Sequence, residues 1–211
     1  MIELYAIIDH PGPPLPLPGI APLRSVAQDR LAFVYAPARE AKVSPEFLWH
    51  HERVMEALME GRDLLPVRYG TRLADEGAAR RALADRQDEL ANALDRVRDA
   101  VELSMRVLGE REGAMPAVEV RNGMDYVRAK VRATAAQNSV VQRVHKPLSQ
   151  LSRSTMQRSP RANGELLRTA YLVDRTAVQE FVDRVVELQD TGPELRLLCT
   201  GPWPPYSFSE P

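Results

Sequence analysis

Proline placement constrains this chain more than any other feature. A proline fixes its own φ and carries no amide hydrogen, so it can open a helix but neither continues one nor sits in the middle of a sheet. The chain has 17 prolines in 211 residues, and they divide it into short elements. Pro11, Pro13, Pro14, Pro16 and Pro18 follow the β-branched and aromatic run Ile2 to Ile8. That pattern predicts a strand running into a stiff, extended surface loop. Ser44-Pro45 predicts a helix start, with a side-chain acceptor at the N-cap and a residue whose missing N–H costs nothing at the next position. Pro147 and Gly192-Pro193 predict two helix ends.

Between these marks the hydrophobic period assigns the elements. Leu31 to Tyr35 predicts a second strand, and Pro45 to about Glu60 a helix with Phe47, Leu48, Val54, Met55, Leu58 and Met59 on its apolar face. Leu64 to Tyr69 predicts a third strand ended by Gly70, and about Glu76 to Arg98 one long, highly charged helix carrying Leu83, Leu90, Leu94 and Val97. Alternating Val101, Leu103, Met105 and Val107 predict a strand. Asn122 to about His145 predicts a long helix with Met124, Val127, Val131, Ala135, Val141 and Val144 near one stripe. A weaker strand between Leu151 and Arg158, turns at Ser159-Pro160 and Asn163-Gly164, and a strand at Leu166 to Val173 follow. Thr176 is expected to cap a helix carrying Val178, Phe181, Val182, Val185, Val186 and Leu188, and Leu195 to Thr200 is the last strand. The fold class is α+β, in two domains. Residues 1–98 read as a small α+β unit in the order ββαβα, and residues 99–211 as a ferredoxin-like βαββαβ sandwich with a long helix and a C-terminal tail.

Bulk properties exclude several function classes. Net charge is −1, whereas a domain that tracks phosphates is strongly basic, so no nucleic-acid partner is expected. No apolar run reaches the ~18 residues that span a bilayer, and Met1-Ile2-Glu3-Leu4-Tyr5 lacks the basic region of a leader, so a cytoplasmic protein with no membrane partner is expected. Cys199 is the only cysteine, which rules out an intrachain disulfide and predicts a reduced residue buried on a strand.

The search for chemistry centres on His50-His51-Glu52. A zincin helix places its second histidine four residues after the first, and here that position is Met55. Adjacent histidines lie about 100° apart on a helix and do not share an ion easily. His51 falls within the apolar stripe, so it is expected to be a core histidine with its hydrogen bonds satisfied. No phosphate loop, dinucleotide fingerprint, nucleophile elbow or catalytic-cysteine neighbourhood is present, so no catalytic residues, cofactor or metal are assigned. Arg68 reads either as an anion ligand or as one half of an ion pair. The tail Gly201-Pro202-Trp203-Pro204-Pro205-Tyr206-Ser207-Phe208 holds three aromatic residues in a chain stiffened by prolines, which loses little entropy on docking. It is expected to pack in an apolar groove of its own protein; contact with a partner is the other reading.

Three segments carry a resemblance. Leu65-Pro66-Val67-Arg68-Tyr69-Gly70-Thr71 resembles the LPxRFGT stretch of the gas vesicle protein L/F family, with Tyr69 where phenylalanine is usual. His51-Glu52-Arg53-Val54 is similar to the family's His-Glu segment. Trp203, Pro204, Pro205, Tyr206 and Phe208 match its C-terminal signature. The resemblance spans essentially the whole chain. It implies a non-enzymatic accessory protein of gas vesicle assembly, associated with the vesicle and contacting the hydrophobic major shell protein and other gas vesicle accessory proteins to nucleate or assist shell formation. It also implies an N-terminal α+β domain and a ferredoxin-like C-terminal domain. The residues it marks as structural or partner-contacting are His51, Glu52, Pro66, Arg68, Tyr69, Gly70, Thr71, Trp203, Pro204, Pro205, Tyr206 and Phe208. A ferredoxin-like module that binds a small regulatory molecule is the alternative, and it would need a pocket with convergent polar groups that the sequence does not display.

Overall fold

β1 (Ile2–Asp9) is the inner strand of the first sheet, buried along most of its length because it is flanked on both edges. On one side it pairs antiparallel with β3 (Leu31–Pro37), which pairs in turn with β2 (Arg24–Gln28). On the other side lie two very short strands, β4 (Leu65–Pro66) and β5 (Arg72–Leu73). The computed structural model describes residues 1–10, 23–38, 45–109, 138–161 and 164–209, together with helical positions 124, 131, 134 and 135. The proline loop after β1 and most of the helix expected from Asn122 fall outside the described residues.

Helices cover this sheet. α1 (Pro45–Met59) packs on β1, α2 (Glu76–Asp85) on β2 and β3, and α3 (Gln87–Val97) on β4. Val54, Met55 and Leu58 of α1, Ala79 and Leu83 of α2, and Leu90, Leu94 and Val97 of α3 are buried. Polar clamps fix the edges. Arg30 bonds both Asp9 and Asp95, and Arg98 bonds Asp9 at 2.7 Å, Asp95 at 2.9 Å and Asp63 at 3.6 Å. The two guanidinium groups hold the Asp95 carboxyl down at about 2.

The second sheet has the order β7-β8-β6-β9, built from β6 (Ala100–Gly109), β7 (Ser154–Gln157), β8 (Glu165–Asp174) and β9 (Leu195–Trp203). Leu103, Met105 and Val107 of β6 and Leu167, Tyr171 and Val173 of β8 point to one face, as a period of two requires. There they meet Val144, Leu148 of α4 (Lys146–Ser149), and Phe181 and Val185 of α5 (Val178–Thr191).

Several expectations need correction. The single helix over residues 76–98 is two helices, broken at Arg86, whose φ of −129° is not helical. The expected strand Leu64 to Tyr69 is only Leu65–Pro66, because the chain turns away after Val67. β2 was not expected: its residues are mostly polar, and only the pairing with β3 makes it a strand. Pro147 does not end its helix. A π-turn at Val141–His145, in which the Lys146 N–H reaches Val141 O, shifts the ladder and seats Pro147 in the first turn of α4, where its missing N–H is tolerated. Thr176 does not cap α5, which follows a 3-10 turn at Arg175–Ala177. Val182 and Val186 face solvent, as do Met124, Val131, Ala135 and Leu48.

The chain forms two compact units, Met1–Val101 with Trp203–Pro211, and Glu102–Pro202. The tail from Trp203 thus groups with the first unit. Within the tail Pro204 and Pro205 are buried.

Candidate functional site: a buried histidine and the proline–aromatic tail

The Leu65–Thr71 segment is laid along β1. Ala6 and Ile7 face Pro66 and Leu65, and Val67 N–H donates to Tyr5 O at 2.8 Å. Because ladder bonds alternate in direction, Val67 donating inward leaves position 66 facing outward, so a proline fits there at the sheet edge. The chain then turns. Thr71 donates to Arg68 O through its N–H at 3.1 Å and through its hydroxyl at 2.7 Å. Gly70 takes φ +79° at the third position of that turn, the left-handed value that a type II turn requires and that glycine adopts without strain. Leu4 N–H donates to Thr71 O at 3.0 Å, which returns the chain to β1 as β5.

The turn carries Tyr69 to His51. The His51 ring stacks on Tyr5 at 5.1 Å with an interplanar angle of 18° and meets the Tyr69 ring edge-on at 5.1 Å and 77°. Tyr5 sits at a bulge in β1, where the register with β3 shifts between Leu4 and Ala6. A bulge re-aims one side chain against the alternation of the strand. His51 is 3% exposed. Neither ring nitrogen has a hydrogen-bond partner among the described residues. This corrects the expectation of a satisfied core histidine: the ring is held by aromatic packing. Burial, with a smaller contribution from His50, holds its imidazole down at about 4.

Among the marked residues, the structure thus joins His51 to Tyr69 and ties Pro66, Gly70 and Thr71 into the frame beneath them. Arg68 and Glu52 are exposed. Tyr5 was missed in the sequence, where nothing distinguishes it from any other strand aromatic. The tail inverts its expected pattern. Pro204, Pro205 and Ser207 are buried, whereas Trp203 is 39% and Tyr206 41% exposed, with Phe208 half-buried. A 3-10 turn at Tyr206–Phe208, with Phe208 N–H donating to Pro205 O at 3.0 Å, ends the extended path. The aromatic rings were expected to be the buried anchors; the prolines are.

The second unit has polar residues that the sequence did not mark. Glu165, on β8, accepts from Arg106 Nε at 2.7 Å, Arg168 Nε at 3.3 Å and the Arg161 N–H at 2.6 Å. His145 Nδ1 lies 2.8 Å from the hydroxyl of fully buried Tyr171, which meets Phe181 edge-on. Cys199 is half-buried against this core, and burial pushes its thiol up. Among the described residues no cluster of three His, Cys, Asp or Glu side chains is arranged to hold a metal, and no helix is long and apolar enough to cross a membrane.

Comparison with known proteins decides the family. The description "Gas vesicle synthesis protein GvpL/GvpF" matches residues 3–210. The chain belongs to the GvpL/GvpF family of gas vesicle proteins. Its curated relatives include gas vesicle protein L of Streptomyces sp. (strain CB03234), 32% identical over 75% of this chain and 67% of that protein. Gas vesicle protein F of the same strain is 26% identical over 95% of each. Among solved structures, GvpF from Microcystis aeruginosa superposes with a TM-score of 0.84 at 22% identity, covering 100% of this chain and 99% of that one. GvpF from Anabaena sp. PCC7120 gives 0.85 at 19% identity, covering 100% and 96%. The mixed helix-and-sheet fold is therefore that of GvpF, and this GvpL/GvpF-family chain is a protein of gas vesicle formation.

Proposed function

We propose that the chain is an accessory protein that works by contact, engaging the hydrophobic shell protein and other gas vesicle proteins to nucleate or assist shell formation. The family match over residues 3–210 carries the gas vesicle part of this proposal. The tail supports the contact part. Two buried prolines hold Trp203 and Tyr206 at the surface, so an aromatic pair is presented with its ordering cost already met within the fold. A shell subunit exposes a large apolar surface before assembly, and such surfaces aggregate unless covered.

On this proposal the second unit is a ferredoxin-like sandwich, a reading supported by its strand order β7-β8-β6-β9 and its β-helix-β-β-helix-β succession. The marked residues divide by role. His51, Pro66, Tyr69, Gly70 and Thr71 shape the first unit, with Pro204 and Pro205 as anchors; Trp203, Tyr206 and Phe208 meet the partner, and Glu52 and Arg68 offer exposed charges on their own segments. Binding needs neither nucleotide nor metal, and the protein acts in the cytoplasm at the growing vesicle.

The test is capture of the major shell protein by this chain from a host carrying the gas vesicle gene cluster, with chelator present and ATP removed. Retention of the shell protein is the expected result. Failure to retain it, or retention only with ATP or metal, would overturn the proposal.

A further inference from the structure

α1 changes character along its length. From His51 onward it is an ordinary surface helix, with Val54, Met55, Leu58 and Met59 buried and Glu52, Arg53, Glu56 and Glu60 exposed. Its first two turns break that order. Trp49 is 68% exposed and Leu48 45%, beside half-buried Phe47. Tryptophan is rarely left this open, and exposed tryptophans are over-represented as anchors of interfaces. The neighbours of Trp49 on the helix surface include Pro45 on the N-terminal side and Glu52, Arg53 and Glu56, three, four and seven residues on, all exposed. On its C-terminal side the apolar knob is therefore rimmed by two carboxylates and one guanidinium, a net negative edge.

That rim selects among occupants. An anionic lipid surface or a nucleic acid would meet net negative charge. A second copy docking by the same face would set one acidic rim against another, because a two-fold contact places the same patch on both sides. A basic partner gains from the same rim. We propose that the Leu48–Trp49 end of α1 is a docking surface for an amphipathic helix of another gas vesicle protein, with an apolar stripe flanked by lysine or arginine. The apolar stripe covers Leu48 and Trp49, and the basic flanks meet Glu52 and Glu56. This rests on the reading that the chain works by contact with gas vesicle proteins, and it adds a surface separate from the tail's own aromatic pair.

The test uses the full chain and two synthetic helical peptides with the same leucine stripe, one rimmed by lysine and one by glutamate, followed by fluorescence anisotropy. The lysine-rimmed peptide is expected to bind at least about tenfold tighter than its twin, Trp49→Ala to weaken it at least about tenfold, and Glu52→Lys with Glu56→Lys to reverse the preference. Trp49→Ala should keep the parent melting temperature. Equal binding of the two peptides, or binding indifferent to Trp49→Ala, overturns the proposal. So does a concentration-dependent dimer that Trp49→Ala abolishes, which would give the face to a second copy. A parallel capture of the shell protein separates the two readings. If the parent and Trp49→Ala capture it equally, the shell protein docks elsewhere than α1 and the contact reading stands. If the parent captures none while the lysine-rimmed peptide binds through Trp49, the shell-contact reading fails and the docking surface stands.

Discussion

His51 exchanges solvation for aromatic packing, and that exchange fixes its response to pH. Its folded pKa of about 4 lies below the ordinary value of 6.5. Above pH 6.5 the imidazole is neutral in both the folded and the unfolded chain, so its contribution is fully present. As pH falls from 6.5 toward 4 the unfolded chain takes up a proton that the folded chain refuses, and stability drops by about 1.4 kcal/mol per pH unit, up to about 3 kcal/mol. His51→Phe keeps a ring between Tyr5 and Tyr69 and removes the titration. Denaturant unfolding at pH 7 should then show the variant within about 1 kcal/mol of the parent, since the ring makes no hydrogen bond to the described residues. Between pH 6.5 and 4 the parent should lose stability faster than the variant. Parallel pH curves would contradict the burial argument.

Among the elements of the first unit, α2 leans on its N-terminal cap. α2 is 10 residues long and α3 11, each short enough to be marginal without packing and end contacts. Asp75 caps α2, its side chain accepting from the Ala78 N–H at 2.8 Å. Asp75→Ala should therefore cost about 1 kcal/mol, read as a lower denaturant midpoint with an unchanged slope. Asp75→Asn should recover most of the loss, because an amide oxygen can accept the same bond. A loss of equal size in both variants would mean that charge at the helix N-terminus, and not the hydrogen bond, supplies the effect.

The tail acts at the scale of the whole molecule, since it returns the end of the chain to the unit in which the chain began. Removing residues 203–211 takes away the buried Pro204 and Pro205 and should lower the stability of the first unit by about 2–4 kcal/mol. Replacing Trp203 and Tyr206 together by serine should cost far less, because both rings are about two-fifths exposed. The same double substitution should weaken capture of the shell protein. The comparison of the two variants by calorimetry beside a capture assay assigns anchoring and docking to different residues. A truncated chain as stable as the parent would show that the prolines anchor nothing.

Elements whose hydrophobic period and proline marks agree could be read directly from the order of residues. Ile2 to Ile8, the helix from Pro45, the alternating strands from Val101 and Leu166, and the helix around Phe181 each bury one continuous face, so local pattern and tertiary demand coincide. The motif Leu65–Thr71 and the tail were also legible, and so was the family. Tertiary structure decided what depends on residues distant along the chain. Arg24–Gln28 becomes a strand only beside Leu31–Pro37, through a turn that places Asp29 at φ +51°. The break at Arg86 and the π-turn before Pro147 leave no mark in a period that averages over several residues. Tyr5, His51 and Tyr69 meet because a bulge, a helix and a glycine turn converge, whereas Trp49 on the same helix stays exposed. A hydrophobic pattern states which residues prefer burial; only the packed chain settles which of them find a place inside.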